Sequence, residues 1–161
     1  MRALILAAFV AASAAPALAR TPPAPPIPAP PQAGPAETVE AFHRALDAGD
    51  GPAAIALMAE DALVFEQGYV ERTRAEYIEK HLEADMAFSK AVPSTVISRK
   101  ATAVGDIAWV VSEGAVKGEF QGKPVDRLTL ETIVLRREGG VWKIVHIHWS
   151  SRAAPGPGPA A

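Results

Sequence analysis

Two histidines separated by one residue, His146 and His148, lie in an apolar stretch near the end of the sequence. On a strand both side chains would point the same way, and H-x-H is a spacing found in zinc sites. A catalytic zinc needs a third protein ligand, but the sequence has no cysteine and no second H-x-H or H-E-x-x-H motif. We therefore predict no metal site and no cofactor.

A second group of residues could take part in acid–base chemistry. Its members, spaced four residues apart, are Tyr77, His81 and Asp85. In a helix they lie on one face, where the carboxylate can orient the imidazole as a base. The same spacing is typical of an ordinary packed helical trio, so both interpretations stay open. His43 lies next to Phe42 but off the main apolar stripe of its own segment, which favours a surface position.

Three helices are predicted in the first half of the chain. The first runs from Glu37 to Ala48, and Asp50 caps a short second helix. The third runs from Thr73 to about Ser89, and Thr73 with Glu76 forms a capping-box pattern at its start. These helices are the elements that would position Tyr77 and His81.

Strands account for the rest of the domain. They are predicted in ALVFE, in a short segment after the turn Gln67-Gly68, and at 95–104, 107–120, 127–137 and 141–150. Glycine-containing turns separate the last four strands, which predicts an antiparallel meander. Helices and strands in separate blocks predict an α+β fold.

The predicted strand 127–137 is apolar on both faces, with Leu128 and Val134 on one and Ile133 and Leu135 on the other. Three helices cover only one face of a sheet. We therefore predict a homo-oligomer, most simply a homodimer, in which a second subunit covers the other face.

The two ends of the chain are predicted to lie outside the domain. Residues 1–19 have the charged start, apolar run and small-residue cleavage site of a signal peptide. Residues 20–36 form a Pro/Ala-rich linker and 152–161 a disordered tail, leaving 37–151 as one domain. We expect a secreted or periplasmic protein with no membrane contact after signal cleavage. A formal net charge of -2 with no basic run indicates no nucleic-acid partner.

The segments VFEQ, the turn Gly105-Asp106 and LETIVLRREGGVWKIVHIHWSS resemble the nuclear transport factor 2-like superfamily. The likeness is sharpest to the association domain of calcium/calmodulin-dependent protein kinase II, and the superfamily also includes ketosteroid isomerases and SnoaL-like cyclases. The resemblance spans about Glu37 to Ser151. It implies a cone-shaped, barrel-like fold in which three N-terminal helices pack on a strongly bent antiparallel sheet and enclose a cavity.

The resemblance also implies roles for individual residues. Glu66 falls where similar isomerases keep an aspartate base, so it is either a proton carrier or a structural hydrogen-bonding group. An arginine of the association domain is replaced here by Trp149, which favours an apolar or aromatic ligand. His146 and His148 are directed to the opposite face and a subunit interface. The implied cavity-lining residues are Tyr77, His81, Trp109, Glu113, Glu131, Ile133, Ile147 and Trp149.

Two functions remain open from the sequence. One is an exported small-molecule-binding or assembly domain without catalysis, with a mostly apolar cavity. The other is a cofactor-independent isomerase or cyclase that uses Glu66 as its proton-transfer base.

Overall fold

The computed structural model describes residues 33–156. The predicted signal peptide, most of the predicted linker and the last five residues of the predicted tail lie outside the described residues. No helix within 33–156 is long and apolar enough to cross a membrane.

Within the described residues four helices precede the main part of the sheet, where three were predicted. They are α1 (Pro35–Ala48), α2 (Gly51–Ala56), α3 (Arg74–Lys80) and α4 (Leu82–Ala91). Gly49 ends α1 in the left-handed region, with φ of 71°, and Asp50 Oδ1 accepts the Ala53 N–H at 3.0 Å to begin α2. Thr73 Oγ1 accepts the Glu76 N–H at 3.1 Å at the start of α3, as the capping pattern predicted.

The predicted third helix is two helices because His81 has non-helical backbone angles, φ -126° and ψ -35°. Its Nδ1 lies 2.5 Å from Glu71 Oε1 on the neighbouring strand, a contact that sequence periodicity does not reveal. Hydrogen bonds from His81 N–H to the Tyr77 carbonyl and from Asp85 N–H to the His81 carbonyl span the junction of the two helices.

Six strands form one strongly curved, open sheet: β1 (Met58–Glu66), β2 (Tyr69–Glu71), β3 (Ser94–Val104), β4 (Ile107–Phe120), β5 (Lys123–Glu138) and β6 (Val141–Ala153). Their order is β2-β1-β6-β5-β4-β3. The α+β class is confirmed, and β3 to β6 form the predicted meander. The sheet is mixed, however, because β1 pairs with β6 in parallel. Strand β6 also continues to Ala153, two residues into the segment predicted as tail.

The hydrophobic core lies between the helices and one face of the sheet. Val39, Phe42 and Leu46 from α1 pack against Ile133 of β5 and Ile147 of β6, all of them almost fully buried. The opposite face of the sheet, which we call the outer face, carries exposed apolar side chains. These are Leu63, Phe65, Trp109 and Val111.

Candidate functional site

A row of five side chains crosses the helix-covered face, one from each of five neighbouring strands. Successive members are register partners: Glu66 with Trp149, Trp149 with Glu131, Glu131 with Ser112, and Ser112 with Arg99. Register partners lie side by side on the same face of a sheet. The row therefore brings together residues as far apart in the chain as 66 and 149.

A cavity of about 730 Å³ lies between this row and helices α1 and α4. Its volume is within the range of pockets that hold drug-sized organic molecules. All five residues of the row line it. Further lining side chains come from the helices and from the far end of β4: His43, Asp85, Phe88, Val116 and Phe120.

Glu131 is a buried carboxylate, 8% exposed, that accepts two hydrogen bonds and lies against the imidazole of His43. Ser112 Oγ donates to Oε1 at 3.1 Å, Trp149 Nε1 donates to Oε2 at 2.7 Å, and His43 Nε2 lies 2.7 Å from Oε2. Burial opposes ionisation, but the contacts with His43, Trp149 and Ser112 outweigh it and hold the pKa of Glu131 below its ordinary value. Glu131 is therefore an anion at neutral pH.

Trp149 lies between the core and the cavity. Its ring stacks on that of Phe42 in α1, with centroids 6.4 Å apart and planes at 21°. This packing and the hydrogen bond to Glu131 hold the indole in one orientation. The cavity therefore has a fixed aromatic wall.

A second acidic group lies at the α4 side of the cavity. The fully buried Tyr77 donates its hydroxyl to Asp85 Oδ2 at 2.8 Å. Burial raises the pKa of Asp85 to about 6; the Tyr77 hydrogen bond opposes this, and the negative charges of Glu66 and Glu71 add to it. Burial, with the charge of Asp85, also raises the pKa of Tyr77, which stays a donor. Asp85 therefore changes protonation state close to physiological pH.

Glu71 is a buried carboxylate that the sequence did not single out. It is 2% exposed, and its Oε1 contacts His81 Nδ1. Its Oε2 is buried with no hydrogen-bond partner among the described residues. Tyr77, His81 and Asp85 therefore belong to one charged group with Glu71, rather than forming only an apolar stripe.

The residues that the resemblance implied for the cavity lie in three places: at the cavity wall, buried around it, and on the outer face of the sheet. Glu66, Glu131 and Trp149 line the cavity in the row. Glu113 lies at the cavity edge, but it belongs to the odd-numbered set of β4 that faces outward, and its exposed side chain accepts the Ser98 hydroxyl at 3.2 Å, so its expected position in the cavity is wrong. Other members are buried around it rather than lining it. These are Tyr77, Ile133 and Ile147, with His81 partly buried beside Glu71.

Trp109 lies on the outer face, so its expected position in the cavity is wrong. It pairs with Val134 and is 39% exposed, whereas its neighbour Val110 pairs with Ile133 and is fully buried. The register between β4 and β5 thus places the even-numbered residues of β4 on the core side. Both alternating sets in this strand are apolar, and for that reason the sequence did not reveal which set is inside.

His146 and His148 lie on the outer face, beside Phe65 of β1. The Phe65 ring centroid is 5.0 Å from that of His146 and 6.5 Å from that of His148. Burial lowers the pKa of His146, and the nearby His148 adds to this, while a backbone hydrogen bond at Leu63 opposes it. Within 33–156 no three His, Asp or Glu residues are placed to hold a metal ion.

His43 is one of three site residues that the sequence did not indicate. It lines the cavity, with its side chain 32% exposed, and was expected at the surface. The apolar pattern of α1 identifies Phe42 as inward-facing but carries no information on Glu131, 88 positions later in the chain. Ser112 and Arg99 escaped notice for the same reason, since only the strand register aligns them with Glu131.

The SnoaL-like domain family matches residues 36–154. A solved structure from Shewanella frigidimarina NCIMB 400, provisionally named a ketosteroid isomerase, is 39% identical; the match covers 70% of this chain and 91% of that one, with a TM-score of 0.68. No curated protein gives a significant match. Because the family match spans most of the chain and the Shewanella frigidimarina structure is 39% identical, the chain belongs to the SnoaL-like domain family.

More distant solved structures share the fold. A nuclear transport factor 2-like protein of unknown function from Pseudomonas putida KT2440 is 23% identical, with a TM-score of 0.61 over 77% of this chain and 86% of that one. The association domain of calcium/calmodulin-dependent protein kinase II from C. elegans is 20% identical, with a TM-score of 0.59 over 71% and 91%. These two likenesses show a shared fold, while the match to the SnoaL-like domain family confirms the superfamily that the sequence motifs indicated.

Proposed function

We propose that this domain binds a small organic molecule, apolar over most of its surface, in the cavity above the row. The main support for this proposal is a cavity of about 730 Å³ that combines an aromatic and aliphatic wall with a few fixed polar groups. Trp149, Phe88 and Phe120 supply apolar contact, while Glu131 and Asp85 supply polar contact at defined places. Such a combination selects a ligand by shape and by one or two hydrogen bonds.

The test is a fluorescence titration with small ketones, lactones and aromatic acids. Binding in the cavity should change the emission of Trp149 and leave that of Trp109, on the outer face, unaffected. The signal should therefore persist in Trp109→Phe and disappear in Trp149→Phe, with calorimetry confirming the affinity of both variants. A signal that follows Trp109 instead would place the ligand elsewhere.

A second candidate function is proton transfer by a cofactor-independent isomerase or cyclase. It is supported by two carboxylates in the same cavity, Glu66 and Asp85: burial raises the pKa of Asp85, and the negative charge of Glu66 adds to this. The provisional name of the Shewanella frigidimarina protein supports the same class. Proton exchange into any ligand found should slow in Glu66→Gln, and an unchanged rate would remove Glu66 from the role of base.

We also propose that the protein is a homodimer that buries the outer face. The support is the cluster of half-exposed apolar side chains there, in which Phe65, Trp109 and Val111 are each about 40% exposed. Light scattering of the purified domain measures the mass directly, and a monomer at all concentrations would contradict the proposal.

Export to a secreted or periplasmic location is the remaining part of the proposed function. It rests on the charged, apolar and small-residue pattern of residues 1–19. Expression of the full chain in a bacterium, followed by cell fractionation and N-terminal sequencing, tests it. The expected product begins at Arg20 and is found outside the cytoplasm.

A further inference from the structure

His43 and Glu131 form a close pair at the wall of the cavity. His43 Nε2 is buried and lies 2.7 Å from Glu131 Oε2, a close contact without the angle of a hydrogen bond, and it has no hydrogen-bond partner among the described residues. Because the ionised Glu131 can only accept, a proton on Nε2 is the tautomer that this close contact favours. In the neutral ring this leaves the lone pair on Nδ1.

The other donors to Glu131 fix the direction of this pair. Trp149 Nε1 donates to the same oxygen that contacts His43, and Ser112 Oγ donates to the other. Ser112 itself accepts from Arg99 Nε at 3.0 Å, so the carboxylate is held from two neighbouring strands. A buried carboxylate held by three partners is a rigid orienting group for an imidazole.

The exposed part of the His43 ring borders the cavity. The side chain is 32% exposed while its Nε2 is buried, so the exposed part of the side chain does not include Nε2. His43 Nδ1 makes no hydrogen bond to another described residue. It is therefore a basic nitrogen, positioned by a buried anion, beside a space able to hold an organic molecule.

We propose that His43, oriented by Glu131, is the proton acceptor of this cavity and acts on a carbonyl compound with an acidic C–H bond. The proton of that bond moves to His43 Nδ1, and the electron pair of the broken bond moves onto the carbonyl oxygen to give an enolate. Return of a proton from the imidazolium to carbon restores a neutral ring. The step needs no other reactant.

The chemistry of the neighbouring groups narrows the reaction class. The chain has no cysteine, and the Ser112 hydroxyl is already engaged with Glu131 and Arg99. Nucleophilic attack by these residues is therefore disfavoured, whereas a positioned base beside an apolar wall suits proton abstraction next to a carbonyl. This inference rests on the proposed function of the cavity as a small-molecule site, and it assigns the base to His43 rather than to Glu66.

The first experiment reads the proton position in the ligand-free protein. Long-range ¹H–¹⁵N correlation spectra of ¹⁵N-labelled protein at pH 8 should show His43 with its proton on Nε2 and an unprotonated Nδ1. The preference should weaken in Glu131→Gln and be restored in Glu131→Asp. A proton on Nδ1 at pH 8 would overturn the proposal, and so would a tautomer indifferent to Glu131→Gln.

The second experiment uses 2-tetralone, a ketone with an aromatic ring and an acidic methylene group. Its binding is first measured by Trp149 fluorescence, and exchange of its methylene protons is then followed by ¹H NMR in deuterated buffer. His43→Asn should slow the protein-dependent exchange by about 100-fold, a typical contribution of a general base. The exposed variant Glu79→Gln is the control and should match the unsubstituted protein.

The outcomes distinguish a failure of the role assigned to His43 from a failure of the cavity as a small-molecule site. Binding of 2-tetralone with equal exchange in His43→Asn overturns the role of His43 and leaves the small-molecule site intact. Exchange lost in Glu66→Gln but retained in His43→Asn returns the base to Glu66. Absence of binding overturns the cavity as a site for carbonyl compounds and the inference with it.

Discussion

Trp149 donates its indole N–H to Glu131 Oε2 at 2.7 Å, and the two residues are register partners on adjacent strands. This hydrogen bond joins the aromatic wall of the cavity to its buried anion. Because Trp149 also stacks on Phe42 of α1, the bond ties the sheet to the helix that carries His43.

Glu131→Gln should lower the free energy of unfolding by about 2–3 kcal/mol at pH 7, since a buried charged acceptor with several donors is replaced by a neutral amide. The folded-state pKa of Glu131 lies below its unfolded value of 4.5, so its ionised form stabilises the fold above that pH. The difference between the two proteins should shrink as the pH falls below about 4.5. Urea denaturation at pH 7 and pH 3.5 measures both quantities, with the exposed variant Glu79→Gln as control.

Asp85→Asn should remove a pH dependence of the opposite sign. The pKa of Asp85 is raised from 3.8 to about 6 in the folded protein, so the folded state binds more protons between these values. The Asp85 contribution therefore makes stability decline as the pH rises from 4 to 6, by up to about 3 kcal/mol. In Asp85→Asn this decline should vanish, because asparagine does not ionise in this range. The asparagine oxygen can still accept the Tyr77 hydroxyl, so the hydrogen bond is kept. Parallel urea curves at pH 4, 5, 6 and 7 give the comparison, and equal slopes would contradict it.

Gly114→Ala should destabilise the domain by about 1–3 kcal/mol, the range for overpacking. A Cβ there would lie 3.0 Å from the Thr95 carbonyl oxygen, which belongs to backbone and cannot rotate away, and 2.8 Å from Thr129 Oγ1. Gly118, in the same strand, is the matched control because its Cβ would meet nothing closer than 3.5 Å. Thermal unfolding should show a lower Tm for Gly114→Ala and little change for Gly118→Ala.

Phe65→Glu should convert the proposed dimer to a monomer, because it places a charge at the centre of the apolar outer face. Ile78→Glu is the matched control, since Ile78 is 40% exposed on α3 and lies off the sheet. Light scattering across a range of concentrations should give half the mass for Phe65→Glu and an unchanged mass for Ile78→Glu. Equal masses for the two variants would move the interface elsewhere.

Acid should loosen the same interface through His146. The folded-state pKa of His146 lies below 6.5, chiefly because of burial. The neutral ring therefore stabilises the folded protein above pH 6.5, and this stabilisation is lost as the pH falls below that value. The dimer mass should be retained at pH 8 and reduced at pH 5, and His146→Gln should be less sensitive to this change. An oligomer of constant mass between pH 8 and pH 5 would show that the histidines are not a switch.

The fold was largely predictable because its local signals agree with one another. Helix caps at Asp50 and Thr73 and the glycine turns at 105 and 139 mark element boundaries through short-range chemistry. The parallel pairing of β1 with β6 was not predictable in this way, because it joins segments about 80 residues apart. The break at His81 was missed for a similar reason, since its cause is a contact with Glu71 on another element.

The candidate site, like the fold, has features that the sequence indicates and features that depend on contacts between distant segments. By itself the sequence determined the α+β class through local patterns and the superfamily through its motifs, and the resemblance to that superfamily implied the inward position of Glu131 and Trp149. The tertiary structure alone decided that Trp109 faces outward, that His43 contacts Glu131, and that Arg99 and Ser112 complete the row. The physical reason is strand register: a shift of one residue exchanges the faces of a strand, and where both faces are apolar only pairing with neighbours fixes it.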